Sequence, residues 1–159
     1  MDLLKAFFLV VIASFSAFVF NYFHWKLQEK SKSIFSTASA LKEYLELLEE
    51  KSILYWANDY KADCSPTLKQ EKKILEIEIT SSLKVVRTLT RELNSIIQDK
   101  VYKSEIVKLS NFSSNIYDLV TGDEFEEEVI PSDFKRCSKI SIQTNGIKVI
   151  VLKVMNGNR

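Results

Sequence analysis

Apolar residues run almost unbroken from Leu3 to Phe23, LLKAFFLVVIASFSAFVFNYF, and then give way to an apolar residue every three or four positions. Between Ala6 and Phe20 no charge occurs; only Ser14 and Ser16 interrupt, and each hydroxyl can bond back to a carbonyl of its own helix. With its flanks the segment reaches about the 20 residues that a hydrocarbon core of about 30 Å requires. Residues 1–25 therefore read as a transmembrane anchor. Its apolar surface comes from Phe7, Phe8, Phe15, Phe18 and Phe20, Tyr22 and Trp25 serve as interfacial aromatics, and Lys5 can reach the headgroups at the other end. A cleavable signal fits less well, because the best small-x-small site, Ser14-Phe15-Ser16, is followed by more apolar residues. A soluble core helix would want a polar face, which this stretch lacks.

After Trp25 the period becomes that of a heptad. Leu27, Ile34, Leu41, Leu48 and Tyr55 stand seven apart, with Ala38 and Leu45 at the companion positions and Ser31 and Ser52 weakening the seam. Neither Pro nor Gly occurs between Lys26 and Asn58, so one long helix is predicted. The run Asn58 to Thr67, NDYKADCSPT, collects turn formers, and Ser65-Pro66 is a good N-cap and first-turn pair for the next helix. That helix places Leu75, Leu89 and Ile96 on one heptad position and Ile79, Val86 and Leu93 on the other, interrupted by Ser82. An antiparallel helical hairpin follows, with Leu27, Ile34, Leu41 and Leu48 facing Leu75, Ile79, Val86, Leu89 and Leu93.

The phase slips by a residue near Gln98 to Lys103, and Tyr102, Ile106, Leu109, Ile116 and Val120 form the next apolar set, ended by Gly122. Residues 26–122 then make a helical hairpin or an up-down-up bundle, and residues 123–137 an acidic linker. For residues 138–155 the expectation is a β-hairpin: Asn145-Gly146 between SKISIQT and IKVIVLKV is the strongest short-range hairpin signal, and alternation puts Ile140, Ile142, Val149 and Val151 on one face. Ile150, Leu152 and Val154 would lie on the other face, leaving them, with Lys139 and Lys148, as the expected partner-binding surface. The predicted fold class is thus mainly α, a single transmembrane helix continuing into a long antiparallel helical bundle, with a small C-terminal β-hairpin.

Composition agrees with few, long elements, since the chain of 159 residues has only three Gly and two Pro. Its formal net charge of +1 does not favour a global electrostatic attraction to nucleic acid, and the basic tail has no aromatic residue after Phe134 on which bases could stack. Charge is segregated, though. Leu109 to Phe134 holds acids and no Lys or Arg, while Phe134 to Arg159 holds Lys and Arg and no acid. The acidic linker is expected to fold back on the basic tail, or else the tail docks on anionic lipid or an acidic partner.

Candidate chemistry is sparse. His24 is the single histidine and sits at the expected membrane interface; Gly122, Gly146 and Gly157 stand alone, without a phosphate-loop pattern; Glu126 to Glu128 lack the spacing of a calcium loop. No cofactor, metal or small-molecule substrate is suggested, and catalysis is not expected. Cys64 and Cys137 would suit one disulfide in an oxidising compartment and would be free thiols in a reducing one. Lys26, Lys30 and Lys32 outnumber Lys5 and the terminal amine by about one charge, which leans towards a cytoplasmic C-terminal portion, while a short N-terminal tail with one anchor and the following domain outside is an equally familiar layout. In layout alone the chain resembles bitopic membrane proteins with a paired helical stalk, such as phage lysis spanins and assembly-platform subunits of secretion machines. The expected function is that of a single-pass cell-membrane protein acting through protein contacts or self-association. The second reading is a lysis-type effector whose Phe-rich anchor oligomerises.

Overall fold

The structure, a computed structural model, describes residues 3–97 and 103–157. Four helices occur among them: α1 (Leu3–Ala57), α2 (Pro66–Ile96), α3 (Lys103–Val120) and α4 (Phe134–Gly157). The chain divides into two compact units, Met1–Ser33 and Ile34–Arg159.

The second unit is a four-helix bundle whose buried positions advance by alternating steps of three and four. In α1 these are Ile34, Ala38, Leu41, Leu45, Leu48, Ser52 and Tyr55, as the heptad predicts. In α3 they are Ile106, Leu109, Ile116 and Val120, and in α4 Cys137, Ile140, Thr144, Ile147, Val151 and Val154. All the apolar members belong to one core cluster, the packing expected of near-parallel helices. Cross-helix bonds set the directions. Lys51 of α1 meets Glu78 of α2 at 3.2 Å, while Tyr55 donates to Glu76, so the two helices run antiparallel. Cys137 of α4 approaches Ile53, and Ser141 and Lys148 reach back to Glu49, so α4 is antiparallel to α1 as well. Trp56 bonds Val120, which brings the end of α3 to the end of α1 and completes an up-down-up-down arrangement.

In α2 the seam is turned from the predicted one. Lys72, Glu76, Ile79, Leu83, Val86, Thr90 and Leu93, with Ile97 at the C-cap, follow a strict four-three spacing and are all buried. Leu75 is buried beside them, whereas Leu89 and Ile96 are only half-buried. Three polar members hid this register from a search for apolar heptads. Leu27, expected at the start of the α1 seam, is 68% exposed and lies in the first unit; the buried seam begins at Ile34. The helix start at Ser65-Pro66 is as expected, with the Ser65 hydroxyl accepting from the Leu68 N–H at 3.3 Å. The predicted phase slip falls largely on residues 98–102, outside the described residues.

The C-terminal β-hairpin is not present. Residues 138–155 lie inside α4, and among the described residues the only β pairing is the isolated bridge between Tyr60 and Ile130. Asn145-Gly146 sits in mid-helix, and no described glycine has a positive φ, so the turn that this pair favours elsewhere is not made. The stretch SKISIQTNGIKVIVLKV satisfies two periods at once, and the open side left by α1 to α3 selects the helical one by burying a whole face. A sign test follows. An alanine Cβ at position 146 would meet Phe112 ring carbons at 3.9 Å, ordinary contact, so Gly146→Ala should stabilise the bundle by about 0.5–1 kcal/mol through helix propensity. In a tight hairpin turn the same change would destabilise, so a lowered denaturation midpoint for this variant would contradict the helix.

The expected acidic linker also changes length and partners. Phe134 to Cys137 are the first turn of α4, and the loop 121–133 folds against α1 and α2, with Asp133 pairing with Arg136 of the basic segment at 3.5 Å. Cys64 and Cys137 are both free thiols. The Cys64 sulfur accepts from the Lys61 N–H at 3.0 Å, and Cys137 donates to the Ile53 carbonyl at 3.7 Å, so of the two states open to this pair the structure holds the free thiols.

Candidate functional site

Two features of the molecule stand apart from ordinary bundle packing, one in each unit. In the first unit the predicted anchor residues lie on a continuous helix, and their side chains are bare. Phe7, Phe8, Phe15, Phe18 and Phe20 are 57–70% exposed, and Tyr22, Phe23 and Trp25 are exposed with them. Among the described residues one helix, α1, is long and apolar enough to cross a membrane; its best 18-residue window has a mean hydropathy of 1.8 and none of it is buried. Aromatic side chains gather at one end of this stretch, where Phe20 stacks on His24 with centroids 6.2 Å apart and Tyr22 lies 6.4 Å from Trp25.

In the second unit, the end of the bundle where α1 stops is closed by an aromatic and ionic cap. Tyr55 and Trp56 end the α1 seam, their rings edge to face at 5.2 Å, and Tyr60 and Phe125 pack on Tyr55 at 5.6 and 5.1 Å. All three of Tyr55, Trp56 and Tyr60 are buried, so each needs a partner for its polar atom. The Trp56 indole donates to the Val120 carbonyl at 3.0 Å. The Tyr55 hydroxyl donates to Glu76 at 3.2 Å and accepts from the Glu126 N–H at 3.1 Å. Burial, reinforced by the Glu76 charge, holds the Tyr55 phenol well above its ordinary pKa, so it remains a donor.

Glu76, 3% exposed, is the ionic centre of the cap. It takes Lys72 at 3.6 Å and Tyr55 on one oxygen and Lys73 at 2.7 Å on the other. Lys72 is itself buried, donates to the Glu127 carbonyl, and lies 5.4 Å from the Tyr60 ring centre. Both carboxylate oxygens are thus engaged, which suits a fastening better than a general base. What it fastens is the loop 121–133: Tyr60 and Ile130 exchange backbone hydrogen bonds of 2.8 Å in each direction, and the Asp133 N–H donates to the Trp56 carbonyl at 2.7 Å. Glu126 adopts a left-handed φ of 71° within this loop. The pinned loop turns Asp123, Glu124, Glu127 and Glu128 to solvent. An open groove of about 620 Å³ runs beside it, lined by Thr80, Leu83, Tyr117, Asp118, Thr121 and Phe125 among others.

At the start of α4 the Arg136 guanidinium stacks on Trp56, 3.9 Å from the ring centre, and pairs with Asp133 at 3.5 Å. Gly122 makes room for it, since a Cβ there would lie 2.7 Å from an Arg136 nitrogen. Farther along, Glu49 of α1 receives Lys148 at 2.5 Å and Ser141 at 2.6 Å. Burial works to raise the Glu49 carboxyl, but these hydrogen bonds outweigh it and hold the group below its ordinary pKa of 4.5. The stability this confers is complete above the unfolded-state value and is lost as the pH falls through the lower folded-state value. Glu49→Gln should therefore be less stable than the parent at pH 7, with the gap narrowing as the pH falls below the ordinary carboxylate value of 4.5. A gap unchanged across that range in denaturant titrations would count against the pairing.

The residues expected to bind partners on the hairpin are separated by the helix. Ile150 and Val154 are buried in the core, and Lys148 is spent on Glu49; only Leu152 and Lys139 stay on the surface. No group of three or more His, Cys, Asp or Glu side chains among the described residues is placed to hold a metal ion. The cap was missed by sequence reading because Lys72 and Glu76 look like surface charges; their four-residue spacing in register with Ile79 was the available signal. Comparison of the chain with family models, with curated proteins and with solved structures finds no match.

Proposed function

We propose that this protein is a single-pass, membrane-anchored interaction protein, a scaffold, adaptor or regulatory subunit, whose helical bundle is held at a bilayer by residues 7–23. The observation that carries the reading is the contrast in apolar exposure. The bundle buries its own seams, whereas eleven large hydrophobic side chains from Phe7 to Phe23 stay open. Left in water they forgo about 1.5–3 kcal/mol each, on the order of 15–30 kcal/mol together, which is more than the whole stability of an ordinary domain. A lipid core recovers that energy without requiring a polar face. The cap holds the loop 121–133 in place by backbone and side-chain bonds, and its exposed acids offer a surface for protein contacts.

The test has two arms. Extraction of membranes at alkaline pH should leave the full chain in the pellet and release a chain that begins at Lys26; a full chain recovered in the supernatant would overturn the anchor. Photo-crosslinking residues placed on the exposed positions Leu54, Ile77 and Glu124 should give discrete adducts in cells, and the absence of adducts at all three would overturn the interaction role. Sidedness is read at Cys64, which is half-buried in the α1–α2 loop. On the charge count the bundle is cytoplasmic, so a membrane-impermeant maleimide should not label Cys64 in intact cells; labelling under those conditions would place it outside.

A further inference from the structure

Two surfaces of the second unit, carried by different helices, are complementary and unsatisfied. One is the open groove of about 620 Å³ between α2, α3 and the loop 121–133. Leu83 and Phe125 give it an apolar floor, Tyr117, 52% exposed, adds a ring, and Asp118, Asp123 and Glu126 line it with carboxylates; no Lys or Arg does. The other is the outward ridge of α4. Lys135, Lys139, Ile142, Val149 and Lys153, spaced four, three, seven and four apart, fall along one line of that helix and are all exposed, Ile142 at 69%. The helix holds no Asp or Glu. Among the described residues, none of these three carboxylates and none of these three ammonium groups takes part in an ion pair. Lys73, which feels the Glu126 charge, is held by Glu76 at 2.7 Å, and Glu105, which feels the Lys153 charge, is held by the Ser104 hydroxyl at 2.7 Å. The fastening of the loop to Tyr55 and Lys72 keeps Asp123 and Glu126 off the α4 lysines of the same chain.

We propose that the ridge of α4 in one copy docks in this groove of a second copy, with Ile142 over Leu83, Phe125 and Tyr117 and the Lys135 and Lys139 ammonium groups on the groove carboxylates. Charge and form together select the occupant: a cationic, acid-free ridge with an apolar centre meets a groove that has an apolar floor, carboxylates and no cation. An apolar centre ringed by charge is the layout of protein interfaces, in which the apolar contact supplies most of the affinity and the charges set the register. A formal net charge of +1 puts little overall repulsion between copies. Ridge and groove are different surfaces, so the contact is heterologous. Each docked pair still offers one free ridge and one free groove, and association runs on to rings or chains. The inference rests on the interaction reading above and names its partner; it does not use the anchor.

The experiment uses the full chain in detergent micelles. The parent should form species larger than a dimer as its concentration rises, and high salt should weaken the association at least about fivefold. Asp118→Lys with Asp123→Lys reverses the groove, and Lys135→Glu with Lys139→Glu reverses the ridge. Each double variant alone should be monomeric, and an equimolar mixture should associate again, because every ridge then faces a groove of opposite charge. Position is read by cross-linking in a Cys64→Ser background, where Cys137, 8% exposed, stays largely unlabelled. A short bis-maleimide should join a chain carrying Ile142→Cys to one carrying Tyr117→Cys, and should not join two Ile142→Cys chains. A parent that stays monomeric overturns the proposal, as do double variants that associate like the parent or a mixture that stays monomeric. Equal joining of two Ile142→Cys chains also overturns it, since α4 would then lie on α4. Photo-crosslinks in cells at Leu54, Ile77 or Glu124 beside a monomeric parent sink this proposal alone; no adducts there and no association here sink the interaction reading with it.

Discussion

Leu41→Asp should abolish the folded bundle. Leu41 is fully buried at the middle of the α1 seam, within the cluster that joins all four helices. Removing its side chain alone costs about 2–5 kcal/mol, and an unpaired carboxylate in the same place adds several more. The sum is of the order of a domain's entire stability, about 5–15 kcal/mol. In detergent micelles the variant should lose its cooperative denaturant transition, while α1 keeps helical signal from the apolar segment. The control is Leu47→Asp, on the same helix but 38% exposed, which should stay within about 0.5 kcal/mol of the parent. A Leu41→Asp protein that melts with the parent would mean that α1 does not pack in this register.

Trp56→Ala should be the next most damaging change, at about 3–5 kcal/mol, and should lower the melting temperature by about 10 °C or more. Trp56 is fully buried where α1, α3, the loop 121–133 and α4 meet. Its removal opens a cavity, leaves the Val120 carbonyl without its donor and takes away the ring on which Arg136 is stacked. Trp56→Phe separates these effects, because it retains most of the packing and loses the 3.0 Å hydrogen bond, for an expected cost of about 1–2 kcal/mol. Equal stability of the alanine and phenylalanine variants would show that packing at this site contributes little, contrary to the burial of the ring.

The cap explains why the acidic and basic blocks, adjacent in sequence, stay largely apart in space, the Asp133–Arg136 pair excepted. A flexible linker between them would collapse onto α4, since opposite charges within a few residues attract strongly at short range. Here the linker has better fastenings: two backbone bonds to Tyr60, the Tyr55 hydroxyl, and Lys72 on the Glu127 carbonyl. Hydrogen bonds made in a desolvated setting outweigh screened attraction between exposed side chains, which is worth at most about 1 kcal/mol per pair. Exposed acids at the loop and exposed lysines on α4 are the result.

Much of this molecule is legible in the order of its residues. The apolar run of residues 7–23, the Pro- and Gly-free stretch that follows, the α1 seam from Ile34 to Tyr55, and the start of α2 at Ser65-Pro66 are local properties. A 3.5-residue period and an N-cap have the same meaning wherever the helix is packed. The four-three register of α2 was legible too, once Lys72, Glu76 and Thr90 are allowed as members, but nothing local says that a Lys and a Glu will be buried. That depends on Tyr55, Tyr60 and the Glu127 carbonyl being brought to them by the fold.

The conformation of residues 134–157 was decided by tertiary structure alone. Ile140, Ile142, Ile147, Val149 and Val151 alternate as a strand does, and Ile140, Thr144, Ile147, Val151 and Val154 also repeat as a helix does, so periodicity supports both. β-Branched residues and Asn145-Gly146 tilt the local balance to the hairpin by small increments per residue. The helix wins because α1, α2 and α3 leave one open side, and a fourth helix buries seven side chains against it in a single face, a gain larger than the summed local preferences. Residue order determined where the apolar helix lies and which faces of α1 seek cover; which element supplies that cover was settled by the space the other helices left.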